Sequence, residues 1–154
     1  MEIKLAGLGD IASICQLYNE FFAYNAGLQP VYYKAGKEDG AYPKSIIESE
    51  ASDILIAVDE GEVVGFIHIR EAKTPPFDAL VPHNYAEIVD FITTAAHRKK
   101  GIGSLLMDAA KQWAKARELD YIELFVLTDA RDEIRFYEHA SFVPVSHTMR
   151  CPLC

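Results

Sequence analysis

The period of the apolar positions changes along the chain, and each change marks an element. Ile3-Lys4-Leu5-Ala6 alternates and predicts a short first strand. Asp10 suits an N-cap, and behind it Ile14, Leu17, Tyr18 and Phe21 recur at helical spacing, which predicts a helix to about Phe22. Gly27 to Tyr42 loses periodicity and holds Pro30, Gly36 and Gly40, so it reads as a loop. Pro43 to Ser49 reads as a short helix with proline early in it. Ile54 to Val58 and Val63 to Arg70 flank Asp59-Glu60-Gly61-Glu62 and predict a β-hairpin. Thr74-Pro75-Pro76 ends it, and an irregular loop runs to Asn84. Glu87-Ile88-Val89-Asp90-Phe91-Ile92-Thr93 is rich in β-branched and apolar residues and predicts a strand. On a regularly alternating backbone, Tyr85, Glu87, Val89 and Phe91 share one face and Asp90 takes the other. Helical spacing returns from Leu105 to about Glu118. A strand from Tyr121 to Leu127, a short helix from Arg131 to Ala140 and a last strand from Phe142 to about Met149 complete the chain. Such alternation implies an α/β (α+β) architecture, a mixed sheet flanked by helices.

Composition bounds this picture. A chain of 154 residues without repeat, low-complexity tract or linker is expected to form one domain over residues 1–154. Half the residues are apolar and a quarter charged, the balance of a soluble globular protein. No apolar run approaches the roughly 20 residues that span a bilayer, and Met1-Glu2-Ile3-Lys4-Leu5 is unlike a signal peptide, so the expected location is the cytoplasm, with no membrane partner. A net charge of −8 weighs against nucleic-acid binding and is compatible with a cationic substrate such as an amine. Cys15 is expected on the buried face of the first helix. Cys151 and Cys154 form half of a zinc or redox motif with no second pair in the chain, so no metal is expected.

Chemistry concentrates in Arg98-Lys99-Lys100-Gly101-Ile102-Gly103-Ser104, between the strand holding Glu87 and a helix. Three cations and two glycines at a helix N-terminus make an anion site, because the first amides of a helix have no partner within it and glycine allows close approach. No Walker string is present, and Leu106 stands where a dinucleotide fingerprint needs its third glycine. What remains is R-x-x-G-x-G, either a diphosphate cradle or a solvated basic turn.

In its setting, Thr93-Thr94-Ala95-Ala96-His97-Arg98-Lys99-Lys100-Gly101-Ile102-Gly103-Ser104-Leu105-Leu106 resembles the Q/R-x-x-G-x-G/A motif of the GNAT superfamily of acetyl-CoA-dependent N-acetyltransferases. Ile134-Arg135-Phe136-Tyr137-Glu138-His139-Ala140-Ser141-Phe142 is similar to a second family segment. The resemblance implies a mostly antiparallel sheet whose central strands splay to admit coenzyme A. It implies that the amides of Arg98, Lys99, Lys100, Gly101, Ile102, Gly103 and Ser104 hold the pyrophosphate, and that the main chain of Phe91, Ile92 and Thr93 pairs with the pantetheine arm. It further implies that Tyr137 is the general acid that protonates the departing thiolate, and that Glu87 is the base. Asp90, His83 and ordered water compete with Glu87 for that role. The chain departs from the family at Ala130, where an asparagine often contacts the coenzyme arm, at Lys99, often glycine, and at Ser141, the glycine of the family's "GF" pair.

The expected activity is therefore transfer of an acetyl group from acetyl-CoA to a primary amine. The alternatives are a non-catalytic acyl-CoA-binding module on the same fold and a general nucleotide-binding protein. Tyr32 and Tyr33 are placed to form a lid over the acceptor, and the helix aromatics Tyr18 and Phe21 belong to the core. Dimers are frequent in the family, so a homodimer is among the expected partners.

Overall fold

A computed structural model describes residues 1–154. Five strands form one sheet in the order β1-β2-β3-β4-β5, with β1 Glu2–Leu5, β2 Ser52–Asp59, β3 Glu62–Lys73, β4 Asn84–Thr93 and β5 Ile122–Leu124. The first four pair antiparallel, and β5 lies parallel to β4. Helices α1 (Ile11–Leu28), α2 (Ala41–Ile47), α3 (Ile102–Ala116) and α4 (Arg131–His139) cover the sheet. The parallel step is made by a β4-α3-β5 crossover, the connection that parallel strands require.

Two cores result, one on each face. Ile14, Leu17 and Tyr18 of α1 and Ile46 of α2 pack on Ile54, Ile56, Phe66 and Ile92. Ile102, Leu106, Met107, Ala110 and Ala114 of α3 pack with Tyr137 on Leu55, Ala57, Ile67, Ile69, Ala86 and Ile88. Both faces of β2 and β3 are buried, which is why these strands read as nearly continuous apolar runs. No helix is long and apolar enough to cross a membrane.

Helix α1 runs past Phe22 to Leu28, and Tyr24 in the added turns bonds Glu133 of α4. The strand expected over Tyr121–Leu127 contracts to Ile122–Leu124, and Phe125 is exposed. No strand forms from Phe142 to Met149. Val143, Val145 and Met149 are exposed, and Pro144 has no amide to give to a ladder. The tail touches the α1–α2 loop instead, where Arg150 lies 4.4 Å from the Tyr32 ring centroid. Cys15 is half-buried, and Cys151 and Cys154 are exposed free thiols.

A bulge in β4 changes the expected faces. His68 pairs with Asp90 and Ile69 with Ile88, so Val89 is the extra residue. Beyond it the alternation inverts. Phe91 turns to the α3–α4 face with Ile88, whereas Asp90 joins Glu87 on the α1–α2 face, correcting the simple alternation that separated them.

Candidate active site

The site begins where the sheet opens. β5 pairs with β4 only through Ala86–Ile88 and ends at Leu124, while β4 continues to Thr93. The strand edge beyond Ile88 therefore has no neighbour on that side. An open cleft of about 1690 Å³ fills the fork, lined by Phe91, Ile92 and Thr93 and by Tyr137.

The cationic turn closes one end of this cleft. Arg98 is extended, with φ −65° and ψ 150°. Lys99 (φ 65°) and Gly101 (φ 82°) are both left-handed, and this winding points successive amides the same way. The amides from Lys99 to Ser104 donate to no protein acceptor; the first closed bond is Leu105 N–H to the Gly101 carbonyl, at 3.2 Å. A side chain on Gly103 would put its Cβ 3.4 Å from the Phe136 ring, so α3 starts close against α4. The Arg98 Nε donates to the Thr93 carbonyl at 3.3 Å, and its guanidinium lies 5.2 Å from the Tyr24 ring centroid. Unpaired amides, a held Arg98 guanidinium, two exposed lysines and an adjoining cleft fit a diphosphate carrying an extended arm.

Tyr137 is 9% exposed and packs against Phe91, Phe136 and Phe142 at ring-centroid distances of 6.2, 5.6 and 5.7 Å. Burial chiefly, and then the charge of Glu133 and the neighbouring Tyr24, push its phenol above the ordinary value. The phenol is therefore neutral at physiological pH. Ser141 takes φ 76°, the conformation a glycine would adopt, and the Phe142 amide bonds back to the Tyr137 carbonyl at 2.9 Å.

Of the residues singled out from the sequence, Phe91, Ile92, Thr93, Arg98, Lys99, Gly101, Ile102, Gly103, Ser104 and Tyr137 line this one cleft. Lys100 sits in the same turn without lining it. Glu87 lies on the α1–α2 face, where it accepts a hydrogen bond from Arg70 Nη2 at 3.1 Å. Asp90 stands nearer the fork, and its Oδ2 accepts from the Tyr18 hydroxyl at 2.8 Å and lies 3.4 Å from Nδ1 of buried His68. The Tyr42 hydroxyl meets the same His68 nitrogen at 3.4 Å. His83 is held away from the fork, its Nδ1 2.7 Å from Asp120.

Two groups escape a reading of the sequence. The Asp90 network depends on the bulge, which leaves no periodic signal. The pairing of Tyr24 with Glu133, at 2.6 Å, joins residues 109 positions apart. The place of Glu133 four residues before Tyr137, on the same face of α4, is the signal that would have found it.

Comparison with known proteins agrees with this geometry. The acetyltransferase (GNAT) family profile matches residues 11–142, and the chain belongs to that family. An uncharacterized N-acetyltransferase of Archaeoglobus fulgidus is 27% identical over 137 residues, 89% of each chain. The uncharacterized N-acetyltransferase YhfO of Bacillus subtilis is 30% identical over 116 residues, 74% of this chain and 70% of its own. Among solved structures, a mutant BH1408 protein from Bacillus halodurans superimposes with a TM-score of 0.95 at 22% identity, covering 100% of both chains. A putative acetyltransferase from Agrobacterium tumefaciens does so with 0.73 at 20% identity, covering 99% of each. Family and relatives make this protein an acetyltransferase.

Proposed function

We propose that the protein transfers an acetyl group from acetyl-CoA to a primary amine by direct attack in a ternary complex. Unpaired amides from Lys99 to Ser104, beside the cations of Arg98, Lys99 and Lys100, opening into the fork beyond Ile88, carry this reading. When bound, acetyl-CoA supplies an acetyl thioester. The turn binds its diphosphate, and the free edge of β4 at Phe91, Ile92 and Thr93 pairs with its arm. Glu87, or water, takes the proton of the attacking amine. Asp90, with Oδ2 held by Tyr18 and no protein partner on Oδ1, competes for that task from the same face. A main-chain amide near Thr93 steadies the oxyanion, and the Tyr137 hydroxyl gives its proton to the leaving sulfur. The product is an amide and a free thiol, so atoms and protons balance.

The proposed setting is a cytoplasmic enzyme working on a cationic acceptor, which the net charge of −8 favours through its field. Calorimetry with acetyl-CoA, followed by thiol release over a panel of a polyamine, an aminoglycoside, free amino acids and a lysine peptide, tests it. Saturable binding with amine-dependent thiol release is the expected result. No saturable binding overturns the proposal, and binding without release over the panel favours a non-catalytic acyl-CoA module.

A further inference from the structure

One polar arrangement in the cleft is unused by these steps. Glu133 and Tyr137 lie four residues apart on one face of α4, and Ala130 is the residue that caps its start. Glu133 lines the cleft. Its Oε1 accepts the 2.6 Å hydrogen bond from the Tyr24 hydroxyl of α1, whereas its Oε2 is shielded from solvent and meets no donor. Tyr24 lies under the Arg98 guanidinium, and Glu133 acts electrostatically on Tyr137. Arg98, Tyr24, Glu133 and Tyr137 thus lead from the phosphate cradle to the proton donor along the wall made by α1 and α4.

A buried carboxylate oxygen without a donor is costly, and folded proteins rarely leave one. Gln29 Oε1 and His97 Nδ1, on residues that line the same cleft, are likewise shielded and unpartnered, so the cleft lining lacks partners that a ligand can supply. An extended arm paired with the edge of one strand keeps amide groups on its other side that need partners of their own. At the start of α4 Ala130 offers no polar side-chain atom, so Glu133 is the acceptor placed between cradle and acid.

We propose that Glu133 Oε2 accepts a hydrogen bond from an amide N–H of the pantetheine arm, and that Tyr24 is the positioning residue that holds the carboxylate for it. The assignment rests on the coenzyme reading of the cleft. The competing donor is the ammonium group of the acceptor.

Calorimetry on the full chain separates these, with coenzyme A as one titrant and ADP, which carries the diphosphate but no arm, as the other. Glu133→Ala is expected to weaken coenzyme A binding roughly tenfold or more, the scale of a hydrogen bond to a charged group, and to leave ADP within about twofold. Tyr24→Phe keeps the ring beneath Arg98 and removes only the hydroxyl. It is expected to weaken coenzyme A severalfold, again without change for ADP. Unchanged affinity for both ligands in both variants overturns the assignment and leaves Oε2 to the acceptor. Equal losses for both ligands also overturn it, because the effect then lies in the cradle or in the fold. If the wild-type chain binds ADP but no coenzyme A, the coenzyme reading itself fails, and this assignment with it.

Discussion

Tyr137 owes its protonation state to its surroundings, since its hydroxyl has no protein hydrogen-bond partner. Three aromatic rings pack around its own ring, and Glu133 on the preceding turn adds negative charge. Both effects disfavour the phenolate, so the phenol keeps its proton at physiological pH. Tyr137→Phe removes one oxygen from a packed aromatic site. The expected outcome is coenzyme affinity within about twofold of wild type, read by calorimetry, and turnover lower by about 100-fold, the lower end of general acid catalysis. Unchanged turnover would remove Tyr137 from the chemistry. Neighbours also orient Asp90: Tyr18 from α1 and His68 from β3 meet one of its oxygens, and the other has no protein partner.

At the scale of elements, the turn before α3 depends on two left-handed residues, only one of them glycine. Lys99 at φ 65° occupies a conformation that costs a side-chain-bearing residue about 1–2 kcal/mol. Lys99→Gly is expected to hold or raise the melting temperature and to retain ADP binding, with only the modest loss due to one cation. Lys99→Val puts a β-branched residue where φ is positive, and is expected to lower both stability and ADP affinity. Thermal melts beside ADP titrations check the pair. The turn was legible in the sequence because its winding is a main-chain property, and glycine spacing with flanking periodicity betrays main-chain geometry. The hairpin and α3 were legible for a related reason, since their apolar periods match the faces they bury. Val89 was not legible as a bulge. One extra residue in a run of apolar side chains leaves composition unchanged while exchanging the faces of Asp90 and Phe91. Phe142 to Met149 has strand-like composition, yet a strand also needs a partner edge. The neighbouring β5 supplies only Ile122–Leu124, and the pairing of Tyr24 with Glu133 exists only after folding.

The whole molecule is tied firmly at one end of the sheet and open at the other. At the closed end Arg117 reaches Asp53 at 3.3 Å and Glu71 at 3.1 Å, its guanidinium lies 4.0 Å from the Trp113 ring centroid, and the Asp120 amide bonds the Asn84 carbonyl at 2.8 Å. At the open end Tyr24 of α1 joins Glu133 of α4, while Tyr18 and Tyr137 are buried one on each face, and these three tyrosines give the fold an alkaline limit. Tyr18, Tyr24 and Tyr137 all have pKa values above the ordinary 10.0, burial being the first cause in each, with Asp90 adding to Tyr18 and Glu133 to Tyr24 and Tyr137. Below pH 10.0 folded and unfolded chains both keep these protons, so their contribution is complete. Above it the unfolded chain releases protons that the folded chain retains, and stability falls as the pH rises. Urea midpoints are therefore expected to drop steadily above about pH 10. Tyr18→Phe is expected to be less stable at neutral pH, having lost its bond to Asp90, but to show a shallower alkaline decline.

The shortness of β5 has a further consequence, for the timing of local opening. The main chain of β4 beyond Ile88 is laddered on one side only, so in the unliganded protein its cleft-facing amides exchange hydrogen through small fluctuations rather than through global unfolding. A ligand arm lying along that edge acts as a transient sixth strand. Slowed deuterium uptake between Val89 and Thr93 on adding coenzyme A, with uptake near Asn84 unchanged, is the outcome expected if the arm lies along this edge.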